Sequence, residues 1–260
     1  MENKVSRRQL ITLLGTVAAS GAAGTLLAHA EAPATSKPGS LLQQTPWPYS
    51  PLEPKKVAQR AFESFQKGRC MYGSFEAIVG SIAERLGAPY TDFPFALFKY
   101  GEGGVYGWAT LCGSLNGSAA AIQLLSPNPV PLIDALFAWY QSEPLPNFSA
   151  NGMKFKEVRS AAGTPLCHAS IAHWTKASGK TAYSPERSER CATLTASTAF
   201  KAVTLLNEQA AAKPIAFAIP AETKGCMSCH EKGGAVEDIR TKMTCGECHE
   251  PEVKSHHGKA

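Results

Sequence analysis

Near its C-terminus the chain reads Cys226-Met-Ser-Cys229-His230 and, nineteen residues on, Cys245-Gly-Glu-Cys248-His249. Cys-x-x-Cys-His is the attachment signal for c-type haem. The two thiols add to the vinyl groups on one edge of a porphyrin, and the adjacent imidazole reaches over the ring to become an axial iron ligand. The same four cysteines also have the spacing of a zinc ribbon, or of two disulfides. Haem accounts for a histidine directly after both pairs; the other two readings leave it as coincidence. Two covalently bound haems c per chain are therefore expected on Cys226, Cys229, Cys245 and Cys248, with His230 and His249 as proximal ligands.

The sixth ligand separates a carrier from a catalyst. Two imidazoles give low-spin iron without a vacancy, whereas an open position admits a small molecule. His256 and His257, adjacent and just past the second signal, are the first candidates for distal ligands, with His173 and His168 behind them. Met227 and Met243 sit inside or beside the signals, where geometry disfavours axial ligation.

Four further cysteines, Cys70, Cys112, Cys167 and Cys191, are widely dispersed. Four thiolates are the usual complement of an iron–sulfur cluster. An even number in an oxidising compartment also fits two disulfides, with three pairings, so both readings stand on the residues alone. Glycines flank two of the four, in Gly-Arg-Cys70-Met-Tyr-Gly and Leu-Cys112-Gly-Ser-Leu-Asn-Gly. Small residues there let backbone amides approach and bond cluster sulfurs.

These residues must be positioned by helices. Phe75, Ile78, Val79, Ile82 and Leu86 follow the i, i+3, i+4, i+7 rule, so Cys70 is expected just before an amphipathic helix ended by Gly87 and Pro89. The small-residue stretch from Trp108 to Leu125 reads as a tightly packed helix containing Cys112, and Leu132 to Tyr140 as another. Cys167 opens a helix lasting to Gly179, and Ser184-Pro185-Glu186 starts the one that holds Cys191. Residues 153–158 are a candidate short strand. The fold class is mainly α: a helical body over 53–220, then a small dihaem segment over 221–260 with little regular structure. That tail is too small to build a core around two macrocycles. At roughly 25 cal/mol per Å² of buried apolar surface, the ring faces call for cover by the body, by each other or by a second subunit. A homodimer through the haem end is expected.

The N-terminus has Arg7-Arg8, an apolar Gly- and Ala-rich run, and Ala28-His29-Ala30. These are the parts of a secretory leader over 1–30, cleaved after Ala30, and the paired arginines point to the twin-arginine route. Residues 31–52, rich in Pro, Ser and Gln, read as an extended arm or linker. A soluble periplasmic protein with no stable membrane span in the mature chain is expected. The twin-arginine route carries folded proteins and so favours a second cofactor loaded before export. Losing the leader lowers the formal charge from +5 to +3, and no basic run indicates nucleic acid.

Cys70, Cys112-Gly with Gly117, Cys167-His168-x-Ser170 and Arg190-Cys191-Ala192, in that order, resemble the C_GCAxxG_C_C redox-active protein family. With two haem signals appended, residues 55–250 resemble the split-Soret cytochromes c. That resemblance implies a homodimer with four haems gathered at one end. It also implies Cys70, Cys112, Cys167 and Cys191 as ligands of a [2Fe–2S] cluster. Ser74 stands where some relatives carry a further cysteine. The function expected is electron transfer with periplasmic redox partners rather than catalysis. The alternative is a haem-dependent reductase of a small nitrogen or sulfur oxyanion, with one haem open at its sixth position. No Ser-His-Asp set, phosphate loop or carboxylate pair supports another chemistry.

Overall fold

The structure is a computed structural model that describes residues 44–249. The leader, its cleavage site, residues 31–43 of the arm, His256 and His257 lie outside the described residues. Six α-helices follow one another: α1 (Pro54–Leu86), α2 (Gly113–Leu125), α3 (Pro129–Ser142), α4 (Cys167–Ser178), α5 (Pro185–Ala210) and α6 (Ala221–His230). Short 3₁₀ turns at Tyr90–Asp92 and Phe95–Gly101 lead out of α1. No strand forms among the described residues, and residues 153–158 are irregular rather than extended in a sheet. Only isolated bridges occur, Leu111 with Leu166 and Leu145 with Ser160.

The two longest helices, α1 and α5, pack against each other and carry the core. On α5 the buried set Ala192, Ala196, Ala199, Ala202, Val203 and Leu206 recurs at helical spacing and presents a face of mostly small residues. Ser184 caps it by accepting from the Arg187 backbone N–H at 3.2 Å. On the other side of α1, Phe75, Ile78 and Ile82 are fully buried with Leu115 and Ile122 of α2 and Leu132 and Leu136 of α3. Phe75 stacks on Phe98 with ring centroids 3.8 Å apart. Residues 44–52 dock into this core rather than hanging free. Trp47 and Leu52 are buried, and the Trp47 N–H donates to Leu124 O at 2.7 Å.

Helix α1 is broken where it matters. Gly68 and Arg69 leave helical geometry, and Arg69 takes φ 64, ψ −162, a region disfavoured for any residue with a Cβ. A clamp across the break holds it. Arg60 grips Glu76 with two hydrogen bonds, Nη2 to Oε1 at 2.6 Å and Nε to Oε2 at 3.3 Å, and Ser64 Oγ donates to the same carboxylate. Burial alone would raise the Glu76 carboxyl, but the bonds from Arg60 and Ser64 and the Arg60 charge outweigh it and hold it below its ordinary value. Cys70 is the first residue beyond the break.

Candidate functional site

The break gives the second half of α1 its own N-terminus, with Cys70 at its head. Cys112 caps α2, and Cys167 is the first residue of α4. Three of the four body cysteines thus sit at helix starts, where unpaired N–H groups and the helix dipole favour negative charge. Cys191 comes from within α5. All four line one cavity of about 530 Å³, joined by Glu102, Tyr106, Ser114, Ser170, Arg187 and Arg190 among others.

The helix expected from Trp108 begins only at Gly113. Before it lies a knotted loop in which Gly103, Gly104, Val105, Tyr106, Gly107 and Ala109 all have positive φ. The loop is closed by its own backbone bonds, such as Ala109 N–H to Gly103 O at 3.0 Å. It delivers Cys112 as a cap rather than as a mid-helix residue. Cys112 and Cys167 are then tied side by side. The Cys112 N–H donates to Pro165 O at 2.9 Å and the Cys167 N–H to Thr110 O at 2.7 Å, around the Leu111–Leu166 bridge. Gly113 and Gly117 let α2 lie directly on the start of the second half of α1. A Cβ at Gly113 would strike Gly101 O and Cys70 Sγ, and one at Gly117 would strike Met71 O and Ser74 Oγ.

No disulfide joins any of the eight cysteines. Burial pushes the Cys70 thiol up to about 12, with the charges of Cys112 and Cys191 adding to the rise and the Gly103 and Met71 backbone N–H groups opposing it. Burial, then Cys112, Cys191 and Cys70, drives Cys167 higher still, against the pull of Arg190. Four thiolates cannot share this volume without a cation, whereas a bound metal deprotonates coordinating thiols outright. The polar lining is incompletely satisfied: Arg190 Nε is buried without a hydrogen-bond partner. This donor set suits an anionic iron–sulfur group. Among the described residues no three Cys, His, Asp or Glu side chains close to single-ion distance. The sulfurs surround a volume rather than a point.

The first haem signal lies on α6, so the segment from Ala221 is more regular than its composition indicates. A helix places Cys226 and Cys229 one turn apart on the same side with His230 beside them. Residues 246–249 form a helical turn that does the same for Cys245, Cys248 and His249. Cys229 and Cys248 are exposed; Cys226 and Cys245 are half-buried. Burial, then the neighbouring Cys226 and the Glu222 charge, raise the Cys245 thiol, so the first cysteines of the two signals lie near each other. After His230 the chain folds back, with Val236 N–H donating to Cys229 O at 2.9 Å and Ile239 N–H to His230 O at 3.0 Å. This return brings Asp238 Oδ1 to 2.8 Å from His230 Nδ1 and leaves Nε2 for a metal.

The tail is fastened to α3 and α4. Thr244 N–H donates to Gln141 Oε1 at 3.1 Å, Lys242 pairs with Asp134 at 2.7 Å, and His173 Nε2 meets Glu247 Oε2 at 3.1 Å. The other ring nitrogen of His173 lies 3.0 Å from Ala161 O, so both its nitrogens face oxygen. His168 is exposed at the start of α4. Asp238 carried no signal in the sequence. Its role depends on the return after α6.

The redox-active protein (C_GCAxxG_C_C) family model matches residues 72–205, a span that holds Cys112, Cys167 and Cys191 and begins two residues after Cys70. The chain is 36% identical to split-Soret cytochrome c from Desulfovibrio desulfuricans (strain ATCC 27774 / DSM 6949 / MB), over 94% of each protein. It also superposes with a TM-score of 0.74 on a solved structure of split-Soret cytochrome c from Desulfovibrio desulfuricans ATCC 27774, described as holding a novel iron centre. That match covers 78% of this chain and 90% of the other, at 36% identity. No described helix is long and apolar enough to cross a membrane. Identity at this level, sustained beyond the helical body over nearly the whole of both proteins, makes the chain a member of the split-Soret cytochrome c family and a c-type cytochrome.

Proposed function

We propose that this protein is a periplasmic electron carrier, exported by the twin-arginine route, with two haems c per chain and an iron–sulfur cluster in its helical body. The haems are attached at Cys226 with Cys229 and at Cys245 with Cys248, with His230 and His249 on the proximal side. His256 and His257 are the distal ligands of choice, because His173 already faces two oxygen partners. The cluster, of [2Fe–2S] type, is held by Cys70, Cys112, Cys167 and Cys191. One observation carries the cluster: four cysteines scattered through the sequence line a single cavity, and three of them stand at helix starts. The relative's described iron centre supports the same reading.

When bound, these groups exchange single electrons. The chain's own part is to orient the ligands, shield the cluster from water and expose the haem edge. Two chains meet at the haem end, since tail segments as small as residues 221–260 leave macrocycle faces to be covered.

The test is made on the exported full chain. Mass spectrometry is expected to find two macrocycle adducts, and analysis to find iron above the haem content together with acid-labile sulfide. The ferric spectrum is expected to be low-spin. An absence of adducts overturns the haem assignment, and haem iron without sulfide overturns the cluster. A large high-spin fraction that binds cyanide or nitrite replaces the carrier by a reductase.

A further inference from the structure

We propose that Arg190 is the counter-charge and hydrogen-bond donor of the cysteine cavity, a positioning residue that sets how firmly the iron–sulfur group is held and at what potential it is reduced. This rests on the reading of the four cysteines as its ligands.

The observation is an unmatched cation. Arg190 is only 6% exposed, yet among the described residues no carboxylate pairs with it. A guanidinium stays charged at any ordinary pH, and burying a charge without a partner is strongly unfavourable. Its Nη2 donates to Ser170 Oγ at 3.0 Å, a neutral acceptor, and its Nε is buried with nothing to bond. Towards the cavity it faces sulfur: it lines that space with Cys70, Cys112, Cys167 and Cys191, while Glu157, Glu186 and Glu189 line a smaller pocket with it without pairing to it. The other two arginines of the cavity lining are less buried. Arg69 lies 3.5 Å from Glu102 with both side chains half exposed, and Arg187 Nε donates to Ala182 O at 2.7 Å.

Within the cavity the guanidinium is paired with no carboxylate, Glu102 of the lining lying against Arg69 instead. Four thiolates on an iron–sulfur core are net negative in both oxidation states, so the guanidinium is matched only when the centre is filled. Added reducing charge is favoured by a fixed cation nearby, and an N–H bond to sulfur acts in the same direction. Arg190 therefore raises the reduction potential of the cluster and slows loss of its iron. The signal in the sequence was faint, because arginine beside a cysteine is common. Only the fold reveals that, among the described residues, the glutamates near it stay beyond ion-pair distance.

The holo-protein itself provides the first test. Grown with ¹⁵N-arginine and reduced with dithionite, it is expected to show a weakly coupled arginine nitrogen in the pulsed EPR of the cluster; its absence overturns the proposal. Arg190→Gln is expected to lose iron and labile sulfide relative to haem, retaining iron against a chelator on the order of 10- to 100-fold less well. Its remaining cluster is expected to titrate at a more negative potential, and Arg190→Lys, which keeps the charge without the fork, to lie between the two. Wild-type iron retention and potential in Arg190→Gln overturn the proposal. If that variant does not accumulate, the labelled unsubstituted protein decides. Unsubstituted protein with full haem but no labile sulfide rejects the cluster reading, and Arg190 with it, while leaving the haems standing.

Discussion

Asp238 shows how one side chain reaches a reactive centre it does not ligate. Its carboxylate on His230 Nδ1 fixes the ring's orientation and increases the basicity of Nε2, which on the proposed haem would favour ferric iron. Asp238→Asn keeps an acceptor and removes the charge. It is expected to move the midpoint of one haem upward by roughly tens of millivolts, where about 59 mV is tenfold for a one-electron couple, and to leave the other haem in place. A spectroelectrochemical titration that resolves the two haems checks this; coincident wild-type and variant curves reject it. The thiols and imidazoles stood out in the sequence as candidate ligands because of their spacing. Asp238 was not, since its contact depends on a backbone return that no periodicity encodes.

Among the elements, α1 has the most to hold. A residue with φ 64, ψ −162 inside a helix costs roughly 1–3 kcal/mol, and the Arg60–Ser64–Glu76 clamp spans that break. Glu76→Gln is expected to destabilise the protein by about 1–3 kcal/mol at neutral pH. The folded-state carboxyl is depressed, so its contribution is complete above the ordinary value of 4.5 and fades as pH falls through the lower folded-state value. Urea midpoints of wild type and variant should therefore stay apart near neutrality and converge in acid; a pH-independent gap argues against the clamp. Gly117→Ala forces a methyl group onto Met71 O and Ser74 Oγ. A loss of about 1–3 kcal/mol is expected, with labile sulfide falling because Cys70 is displaced; unchanged thermal midpoint and sulfide content count against it. The helices after Cys167 and Ser184 were readable, since Gly179 and Ser184 are strong local signals. Cys70 was legible just ahead of the helix over residues 75–86, whereas the half of α1 that precedes the break at Gly68 went unread. The knotted loop before α2 was read as helix because small residues suit both, and tertiary closure decided.

At the scale of the whole molecule, the body and tail are joined through modest contacts. Gln141 with Thr244, Asp134 with Lys242 and His173 with Glu247 are partly exposed, and a pair such as Asp134–Lys242 contributes at most about 1 kcal/mol. Such contacts orient the tail without covering two macrocycles. Sedimentation of the holo-protein is therefore expected to give a dimer, and that of a quadruple serine variant at Cys226, Cys229, Cys245 and Cys248 a monomer. A haem-free dimer of equal affinity places the interface elsewhere.

Accessibility grades the eight sulfurs, and under the proposed reading the gradation implies a schedule for biogenesis. Cys70, Cys112 and Cys167 are enclosed and Cys191 is half-buried once the helices collapse, so an inorganic guest would arrive before or during that collapse. Cys229 and Cys248 still face solvent on the finished fold and Cys226 and Cys245 are only half-buried, so thioether formation could follow folding.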